Sequence, residues 1–575
     1  MPNASGYPDK SPDIRPHFHS AILAAIIITG LAVRLTYLWI ISEYPNFSIP
    51  YAGLDAAVYH NLAKKVAGGD LALRNVPFDY SPLYAYFLGS LYLIFGNDHW
   101  VARLANIALG TGSIIMIYFY TVRLFRSTAI ALIAAAGAAL YGPLIVFDTS
   151  MLKTSLSQFL TALCIFLIVR ASCKRRIILW LFAGTAVGLA IDLSGQLSLF
   201  LVFISISLLT KNIFSEIDEK SATAMPTLQE RMNIIGCLMM GVMLTFIPVI
   251  IRNYHVSGDL ALNTLNKSGI HLYIGNHKNA WGGYSRVDGI RPNPAGSLTD
   301  AGMIAEKEVG HELTPSEVSK YWNSKVIDFI LNDTRRFFNL LKDKSLLFFS
   351  FYEIPNNENY QYLKKISPYL ALFPGIGFLL PAGLAGLVMS MREYGRLSPL
   401  YILFASYFLS VILSFVTWRY RLPITLVLWP MAGFFIVKMY KWIRGKRSAV
   451  AAAGAFLVIC FWGIGHVTAV SKEKYGEDMK IAELKMAACR EEGDILRQIS
   501  SGSSGSRDDN ATLWLKLARL RYVQYDYEGS IGILRQALDI YPKEPRLWKA
   551  LSFVLNKTCD TNGAEEARYN YRIYR

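Results

Sequence analysis

The sequence contains few charged residues for its length. Of its 575 residues, 17% are Asp, Glu, Lys or Arg, whereas soluble domains contain about 25%. Apolar residues make up 53% of the chain, and 33 Tyr, 31 Phe and 11 Trp are present. This balance excludes a soluble enzyme and a disordered chain. It indicates a protein that lies largely within a membrane.

Cysteines, metal-ligand patterns and nucleotide-binding motifs are also scarce. The six cysteines are too few and too scattered for a disulfide framework or a zinc site. The histidines show no metal-ligand spacing, and no Gly-rich phosphate loop follows a predicted strand. Gly110-Thr111-Gly112 lies in an apolar segment and is interpreted as a helix-packing site. The sequence therefore predicts that no cofactor is required, and it does not indicate a divalent metal.

Long apolar segments are abundant. A transmembrane helix needs about 20 mainly apolar residues, since each residue rises about 1.5 Å. The apolar stretch 82–97 is too short and is interpreted as a helix at the membrane surface. The others predict an all-α membrane protein with eleven spans. These lie near 20–41, 100–120, 127–147, 151–170, 177–192, 195–210, 232–251, 367–390, 398–417, 421–440 and 448–469.

The net charge of +16 arises mostly in short loops, so it is interpreted as a signal of topology, with no nucleic-acid partner expected. Lys and Arg collect near 123–126, 170–176 and 441–447, and we predict that these connections are cytoplasmic. The N-terminus is then inside and the C-terminus outside. The predicted external segments are a first loop (42–99), a short loop at Asp148–Lys153, a long loop (252–345), a turn at Trp418–Arg421 and the C-terminal tail.

Three domains follow from this topology. Residues 1–19 are predicted to be a cytoplasmic tail. They lack the layout of a cleavable signal peptide, so the first span is expected to be retained. Residues 20–469 form the membrane domain, and residues 470–575 form an external helical domain.

The long loop contains helix signals. Thr314-Pro315-Ser316-Glu317 is a capping box with proline at the first helical position, and it predicts an amphipathic helix running towards Asp328. A second helix is predicted over Asp333–Lys344. Gly269 to Tyr284 is rich in Gly and Asn and predicts ordered turns.

The tail contains an internal repeat after a Ser/Gly/Asp linker. The motif at Trp514 recurs at Trp548, and Gly529 recurs at Gly563, both with an offset of 34 residues. This is the tetratricopeptide period, so the tail is predicted to be an α-solenoid. Residues 472–498 are expected to supply a preceding helix pair, because about three units are normally needed. The alternative is an unrelated helical hairpin.

Asp55 is the first candidate catalytic residue. It follows Gly53-Leu54 in the first external loop and precedes a helix-like stretch with Tyr59 and His60, which are candidate substrate-binding residues. The local sequence favours a helix N-cap for Asp55. The functional interpretation is a general base at the outer membrane surface.

Asp148 and Lys153 are the second candidate. They lie between two predicted spans and would face the same external surface as Asp55. The alternative interpretation is a charged pair that marks a hairpin at the membrane interface.

The third candidate is the turn that contains Arg419, Tyr420 and Arg421. Arginine binds phosphate oxygens in pairs through its planar fork. Two arginines on the predicted external side also break the charge bias seen elsewhere. The alternative is anchoring in the lipid headgroups.

Several motifs occur in a consistent order between residue 20 and about residue 440. They are Asp55 with Tyr59, Ser81-Pro82-Leu83-Tyr84-Ala85-Tyr86-Phe87-Leu88, Tyr141-Gly142-Pro143, Phe147-Asp148 to Lys153, Arg252-Asn253-Tyr254, Tyr273-Ile274-Gly275-Asn276, Glu353-Ile354-Pro355-Asn356-Asn357 and Arg419-Tyr420-Arg421-Leu422-Pro423. Together they resemble the C-type glycosyltransferase superfamily. The likeness is to its bacterial family 39 branch, related to protein mannosyltransferases and lipid A aminoarabinose transferase. Some bacterial members also carry a tetratricopeptide tail.

The resemblance implies that Asp55 is the catalytic base and that Asp148 is a second catalytic carboxylate. It further implies that Lys153, Arg419 and Arg421 bind the donor phosphate. Tyr59, His60, Tyr420 and Asn276 are then expected to bind substrate.

Two departures from the family pattern are present. Ala56 stands where protein mannosyltransferases have Glu, which argues against protein O-mannosylation. Asp192-Leu193-Ser194-Gly195-Gln196 stands where related sequences have Arg-Pro or Lys-Pro, so one cation for the donor is expected to be missing.

The sequence therefore predicts a membrane glycosyltransferase, hexosyl or pentosyl. An external site has no ready supply of nucleotide sugars, so the donor is predicted to be a polyprenyl-phosphate sugar. The acceptor would be a hydroxyl of a lipid, glycan or protein, and the anomeric centre would invert. Membrane lipids, and a protein bound by the tail, are the other expected partners. The expected location is the bacterial cytoplasmic membrane, with the site and tail on the periplasmic side.

Two alternatives belong to other classes. One is a polysaccharide ligase or polymerase that uses a lipid-diphosphate-linked glycan. The other is a transporter or a membrane scaffold without enzymatic activity, whose tail recruits partners.

Overall fold

The computed structural model of the chain describes residues 16–71, 73, 80–174, 176–210, 227–257, 268–293, 296–467, 470–501, 507–558 and 560–575. These residues form helices joined by turns, and no strand occurs among them. The predicted all-α membrane fold is confirmed. Most of the predicted cytoplasmic tail, 1–15, lies outside the described residues.

The first half of the chain forms mainly apolar helices that pack against one another. They are α1 (Pro16–Ile41), α2 (Pro45–Ser48), α3 (Asp55–Ala67), α4 (Pro82–Phe95), α5 (His99–Phe125), α6 (Thr128–Ala139), α7 (Gly142–Asp148), α8 (Thr154–Lys174), α9 (Ile177–Leu193), α10 (Ser198–Thr210) and α11 (Leu228–Ser257).

The second half contains the helices of the long loop, further apolar helices and the tail. They are α12 (Ser268–Gly275), α13 (Ala301–Val309), α14 (Pro315–Asn332), α15 (Thr334–Phe348), α16 (Tyr360–Ile366), α17 (Ile376–Met389), α18 (Tyr394–Leu413), α19 (Trp418–Arg421), α20 (Thr425–Arg444), α21 (Ser448–Val467), α22 (Lys472–Ser501), α23 (Arg507–Val523), α24 (Tyr527–Ile540), α25 (Pro545–Lys557) and α26 (Thr561–Tyr574).

Each of the eleven predicted spans coincides with helical structure. Among the described residues, eight helices are long and apolar enough to cross a membrane. Helices α6 and α7 are apolar and long enough together for a ninth span, but they are bent by 58°, because Pro143 begins a new helix and cannot continue the old one. Helix α9 and the segment Gly195–Thr210 are apolar but shorter. Helix α4 has only 14 residues, which agrees with its interpretation as a helix that does not span.

Two of the predicted cytoplasmic connections lie side by side. The Nε atom of Arg123, near the end of α5, donates a hydrogen bond of 2.9 Å to the Sγ atom of Cys173, near the end of α8. The predicted external loops meet at the other ends of these helices, as described below. The connections after α5 and α8 therefore lie at the ends of these helices that are opposite the cavity.

Small residues allow neighbouring apolar helices to approach closely. A Cβ atom on Gly184 of α9 would lie 2.0 Å from the carbonyl oxygen of Leu238 of α11. A Cβ atom on Gly241 of α11 would lie 2.3 Å from the carbonyl oxygen of Leu181. Such contacts between backbones are typical of helix packing in membranes, where dispersion forces replace the hydrophobic effect.

The long loop confirms two of the sequence predictions and corrects a third. Thr314 and Glu317 form the reciprocal capping box at the start of α14, and Asp333 caps α15. The prediction of turns over Gly269–Tyr284 is wrong for its first part, since residues up to Gly275 belong to α12. The apolar sequence from Ile270 to Ile274 favours the helix by packing into a buried cluster.

The tail consists of one long helix followed by two helical hairpins. The predicted helix pair over 472–498 is wrong, because α22 runs unbroken through this region for 30 residues. Its sequence has no proline that would end a helix.

The 34-residue offset recurs at the helix starts: the carboxylates of Asp526 and Asp560 accept hydrogen bonds from the backbone N–H groups of Gly529 and Gly563. The hairpins enclose their own core of buried residues around Leu534, Leu547 and Leu551.

We expect Gly241→Leu to lower the thermal unfolding midpoint of the purified protein in detergent, because the side chain would separate α9 from α11. Gly236→Leu on the same helix is the matched control, since a Cβ atom there has no neighbour within 4 Å. Calorimetry or a fluorescence melt provides the measurement. Equal midpoints for the two variants would contradict the proposed close contact.

Candidate active site

A cavity of about 1280 Å³ lies where the predicted external segments meet. The first loop contributes Asp55, the turn before α8 contributes Lys153, and the end of α9 contributes Asp192. The turn at α19 contributes Arg419, and the tail contributes residues of α22 that include Lys485. Segments far apart in the sequence therefore form one chamber.

Asp55 is held in this cavity by two side chains. Its Oδ2 atom accepts a hydrogen bond of 2.6 Å from Nη1 of Arg419 and one of 2.8 Å from Nδ2 of Asn357. The N-cap of α3 is Leu54, which has no side-chain capping bond, and Asp55 is the first residue of the helix. The interpretation of Asp55 as an N-cap is therefore wrong.

The environment of Asp55 keeps its carboxylate ionised. Burial alone would raise its pKa, but the charge and hydrogen bond of Arg419, the hydrogen bond of Asn357 and the charge of Lys153 lower it. The net effect is a pKa below the ordinary value. The start of a helix also favours negative charge.

Arg419 and Arg421 face different partners because they are two positions apart on a short helical turn. Thr417 caps this turn by accepting a hydrogen bond from the backbone N–H of Tyr420. Arg419 lies in the cavity wall. Arg421 is 2% exposed and is not among the lining residues.

Arg421 instead joins two segments of the chain. Its Nη2 atom donates a hydrogen bond of 2.5 Å to Oε2 of Glu353, and its Nη1 atom donates to the carbonyl oxygens of Phe348 and Ser350. These bonds fix the segment after α15 against α19. The structure thus gives Arg421 a positioning role next to Arg419, outside the cavity where phosphate binding was predicted.

Lys153 lies close to two carboxylates. Its positive charge acts on Asp55 and on Asp192, and all three residues line the cavity. The turn that carries Lys153 is held by Asn106, whose Nδ2 atom donates to the carbonyl oxygens of Ser150 and Leu152.

Asp192 occupies the place where related sequences are expected to have a cation. Its Oδ2 atom accepts a hydrogen bond of 2.6 Å from Oγ of Ser81, so the Ser81-Pro82 motif is joined to the end of α9. Ser194 and Gln196 extend the same polar part of the wall. This part of the cavity presents a carboxylate, a hydroxyl and an amide rather than a guanidinium.

Tyr59 and Tyr420 both line the cavity. The Tyr59 ring contacts Tyr84 edge-on, with centroids 4.8 Å apart, and its side chain is fully buried. Its hydroxyl has no hydrogen-bond partner among the described residues. A buried polar atom without a partner at a cavity wall is a position where a ligand can bind. The guanidinium of Arg419 lies 5.6 Å from the centre of the Tyr420 ring.

The other predicted site residues lie outside the cavity. Asp148 is 1% exposed and forms an ion pair of 2.8 Å with Nε of Arg34, and it also accepts a hydrogen bond from Ser155. His60 points to the far side of α3, where its ring stacks on His99 at 4.3 Å. Asn276 is buried and accepts a hydrogen bond of 2.7 Å from Nζ of Lys344.

Asn357 and Glu358 are cavity residues that sequence analysis did not single out. Burial raises the pKa of Glu358 to about 6, although Lys485 and Arg103 oppose this shift. Asn357 belongs to the Glu353-Ile354-Pro355-Asn356-Asn357 motif, which is the feature of the sequence that could have indicated it as a site residue. No local pattern shows that these side chains turn towards Asp55 and α22.

The cavity combines carboxylates with cations. Within the described residues, no group of three His, Cys, Asp or Glu side chains could hold a metal ion. Asp55 can accept a proton, and Arg419 and Lys153 can stabilise an anion next to it.

One family of known proteins matches part of the chain. Residues 79–226 match the family described as dolichyl-phosphate-mannose-protein mannosyltransferase. This segment contains Ser81, Lys153 and Asp192, whereas Asp55 and Arg419 lie outside it. The predicted resemblance to these membrane glycosyltransferases is confirmed over this segment. No curated protein sequence matches the chain.

Among the solved structures that match, one aligns with most of the chain. It is the archaeal oligosaccharyltransferase AglB from Archaeoglobus fulgidus, in complex with an inhibitory peptide and a dolichol-phosphate. The sequences are 14% identical and the TM-score is 0.42, over 85% of this chain and 58% of that chain. The alignment therefore spans little more than half the length of AglB.

We expect Asp148→Asn to lower the free energy of unfolding by about 3–5 kcal/mol, because it leaves Arg34 buried without its counter-ion. Denaturation of the purified protein provides the measurement. The double variant Arg34→Leu, Asp148→Leu should lose less free energy of unfolding than the single variants Arg34→Leu and Asp148→Leu lose in sum, since the two residues are in direct contact. Unchanged stability of Asp148→Asn would show that the ion pair is not structural.

Proposed function

We propose that the chain transfers a sugar from a polyprenyl-phosphate donor to an acceptor hydroxyl, with inversion at the anomeric carbon. The observation that carries this proposal is the placement of Asp55, Arg419 and Lys153 in one cavity at one end of a membrane-helix bundle. The family match over residues 79–226 supports a membrane glycosyltransferase. The cavity would lie on the periplasmic side of a bacterial membrane.

Asp55 would act as the general base. Its carboxylate accepts the proton of the acceptor hydroxyl while the hydroxyl oxygen forms a bond to the anomeric carbon. The bond between that carbon and the phosphate oxygen breaks, and the electron pair remains on the lipid phosphate. A single displacement of this kind inverts the anomeric centre. General base catalysis typically contributes about 10²–10⁴-fold to the rate.

Arg419 and Lys153 would stabilise the leaving phosphate. A phosphate that gains negative charge in the transition state needs cations placed in advance, and an arginine fork can bind two of its oxygens. Tyr59 and Tyr420, which are part of the cavity wall, would bind the sugar. Asp148, Arg421, His60 and Asn276 lie outside the cavity, so the proposed mechanism does not use them.

The hydrogen bond between Arg419 and Asp55 has a further role in this mechanism. Without donor, Arg419 lowers the pKa of Asp55 and therefore weakens it as a base. A bound phosphate competes for the guanidinium, and the pKa of Asp55 then rises. The base would become stronger when the donor is in place, which limits unproductive reactions of an empty site.

We expect Asp55→Asn to reduce transfer by about 10²–10⁴-fold, because the amide cannot accept the acceptor proton. The full-length protein is incubated with a panel of polyprenyl-phosphate sugars, and released polyprenyl phosphate is measured. Asp70→Asn is the matched control, since Asp70 is an exposed aspartate of the same loop. Near-normal transfer by folded Asp55→Asn would disprove the assignment of the base.

The same assay includes a lipid-diphosphate-linked glycan. Release of lipid diphosphate, with none of the monophosphate donors used, would favour the alternative of a polysaccharide ligase. Absence of transfer from every donor would favour the non-enzymatic alternatives.

We expect Arg419→Gln to move the acidic limb of the kcat/KM profile to higher pH. Loss of the guanidinium removes an interaction that lowers the pKa of Asp55, so the carboxylate becomes protonated at a higher pH and the active form is lost earlier as the pH falls. kcat/KM is used because it reports on the free enzyme. Arg335→Gln, at an exposed arginine of the long loop, should leave the limb in place. A limb that stays fixed in Arg419→Gln would show that Asp55 does not control it.

A further inference from the structure

The tail forms one wall of the cavity. Residues of α22, among them Lys474, Asp478 and Lys485, line it together with the turn Val523–Tyr525. Cys489 of the same helix is 1% exposed. The helical domain is therefore packed onto the predicted external loops rather than extended away from them.

The turn Val523–Tyr525 contacts the segment that leads into Asp55. The backbone N–H of Ala52 donates a hydrogen bond of 3.0 Å to Oε1 of Gln524. Gly53 has φ of 75°, and a Cβ atom on it would lie 3.1 Å from the carbonyl oxygen of Gln524. Glycine thus permits both the left-handed backbone and the close approach of the tail.

Two further bonds anchor this turn. Nδ2 of Asn293, in the long loop, donates a hydrogen bond of 3.1 Å to the carbonyl oxygen of Tyr525. Tyr525 has φ of 63°, a conformation that is unfavourable for a residue with a Cβ atom and is retained where surrounding contacts require it. Gln524 itself is 2% exposed.

Helix α22 holds the other side of the Asp55 environment. Nδ2 of Asn359 donates a hydrogen bond of 3.1 Å to the carbonyl oxygen of Asp478, and the hydroxyl of Tyr352 donates one of 2.8 Å to its Oδ2 atom. The segment between these two residues contains Asn357, which donates to Asp55. The tail therefore contacts two of the segments that determine the position of the carboxylate.

We propose that the tail is an integral part of the active site, and that Gln524 is a positioning residue that orients the Ala52–Asp55 segment. The catalytic part of this inference depends on the proposed function, whereas its geometric part does not. Gln524 acts through the backbone of Ala52 and does not need to touch a substrate.

Hydrogen exchange of the full-length protein tests the geometric part. In Gln524→Ala we expect the amide of Ala52 to exchange about fivefold faster, because it loses its acceptor. Gln524→Glu retains an acceptor oxygen and should restore slow exchange. Gln536→Ala, at an exposed glutamine of α24, should have no effect. Wild-type exchange at residues 50–55 in Gln524→Ala would overturn the proposal.

Labelling of Cys489 by a maleimide, followed by mass spectrometry of its peptide, distinguishes a local effect on the Ala52–Asp55 segment from detachment of the whole tail. We expect Gln524→Ala to leave this thiol as protected as in the wild type, because the contacts of α22 remain. Rapid labelling would mean that the whole tail has detached, and the assignment of a positioning role to Gln524 would be wrong.

Transfer kinetics test the catalytic part. Gln524→Ala should lower kcat by about 10–100-fold through misplacement of the base, with little change in KM for the donor and with recovery in Gln524→Glu. An unchanged kcat would refute the catalytic part. If the wild type transfers no sugar from any donor, the proposed function fails, and hydrogen exchange still decides whether Gln524 orients the segment.

Discussion

The hydrogen-bonded ion pair between Asp55 and Arg419 is the contact on which the cavity depends. It joins residues 364 positions apart, one at the start of a helix in the first loop and one in the turn before α20. When these charges meet, the first loop and the late turn close around a common space, and Asn357 completes the contact from a third segment.

Among the described residues of the membrane domain, three carboxylate–guanidinium pairs join residues at least 68 positions apart, and their burial separates their roles. Arg34–Asp148 and Arg421–Glu353 have side chains at most 5% exposed, and each joins two separate segments of the chain. Arg419–Asp55 has side chains 13% and 15% exposed and borders open space. An ion pair that is partly accessible can be broken by an anionic ligand, whereas a fully buried pair loses its partner only at a large cost in free energy.

The membrane fold could be predicted largely from the sequence because hydropathy and positive charge act locally. The eleven apolar segments, the capping box at Thr314 and the short helix after Pro82 needed no knowledge of distant contacts.

The site could be predicted only in part. Asp55, Lys153 and Arg419 were placed together by topology, but a topology does not show which way a side chain turns. Asp148 and Arg421 therefore looked equivalent to their neighbours until Arg34 and Glu353 were found opposite them. The cavity wall formed by α22 could not be predicted at all, because its contacts with the loops depend on tertiary packing.

The order of segments along the chain has a consequence for biosynthesis. Residues of α22 and of the turn Val523–Tyr525 follow the last predicted span, yet they line the same chamber as Asp55. During synthesis the bundle can insert into the lipid bilayer before α22 and the turn at Gln524 have emerged from the ribosome. The chamber then lacks one wall until those residues dock onto the loops, so a nascent chain that has completed all its predicted spans does not yet have a complete cavity.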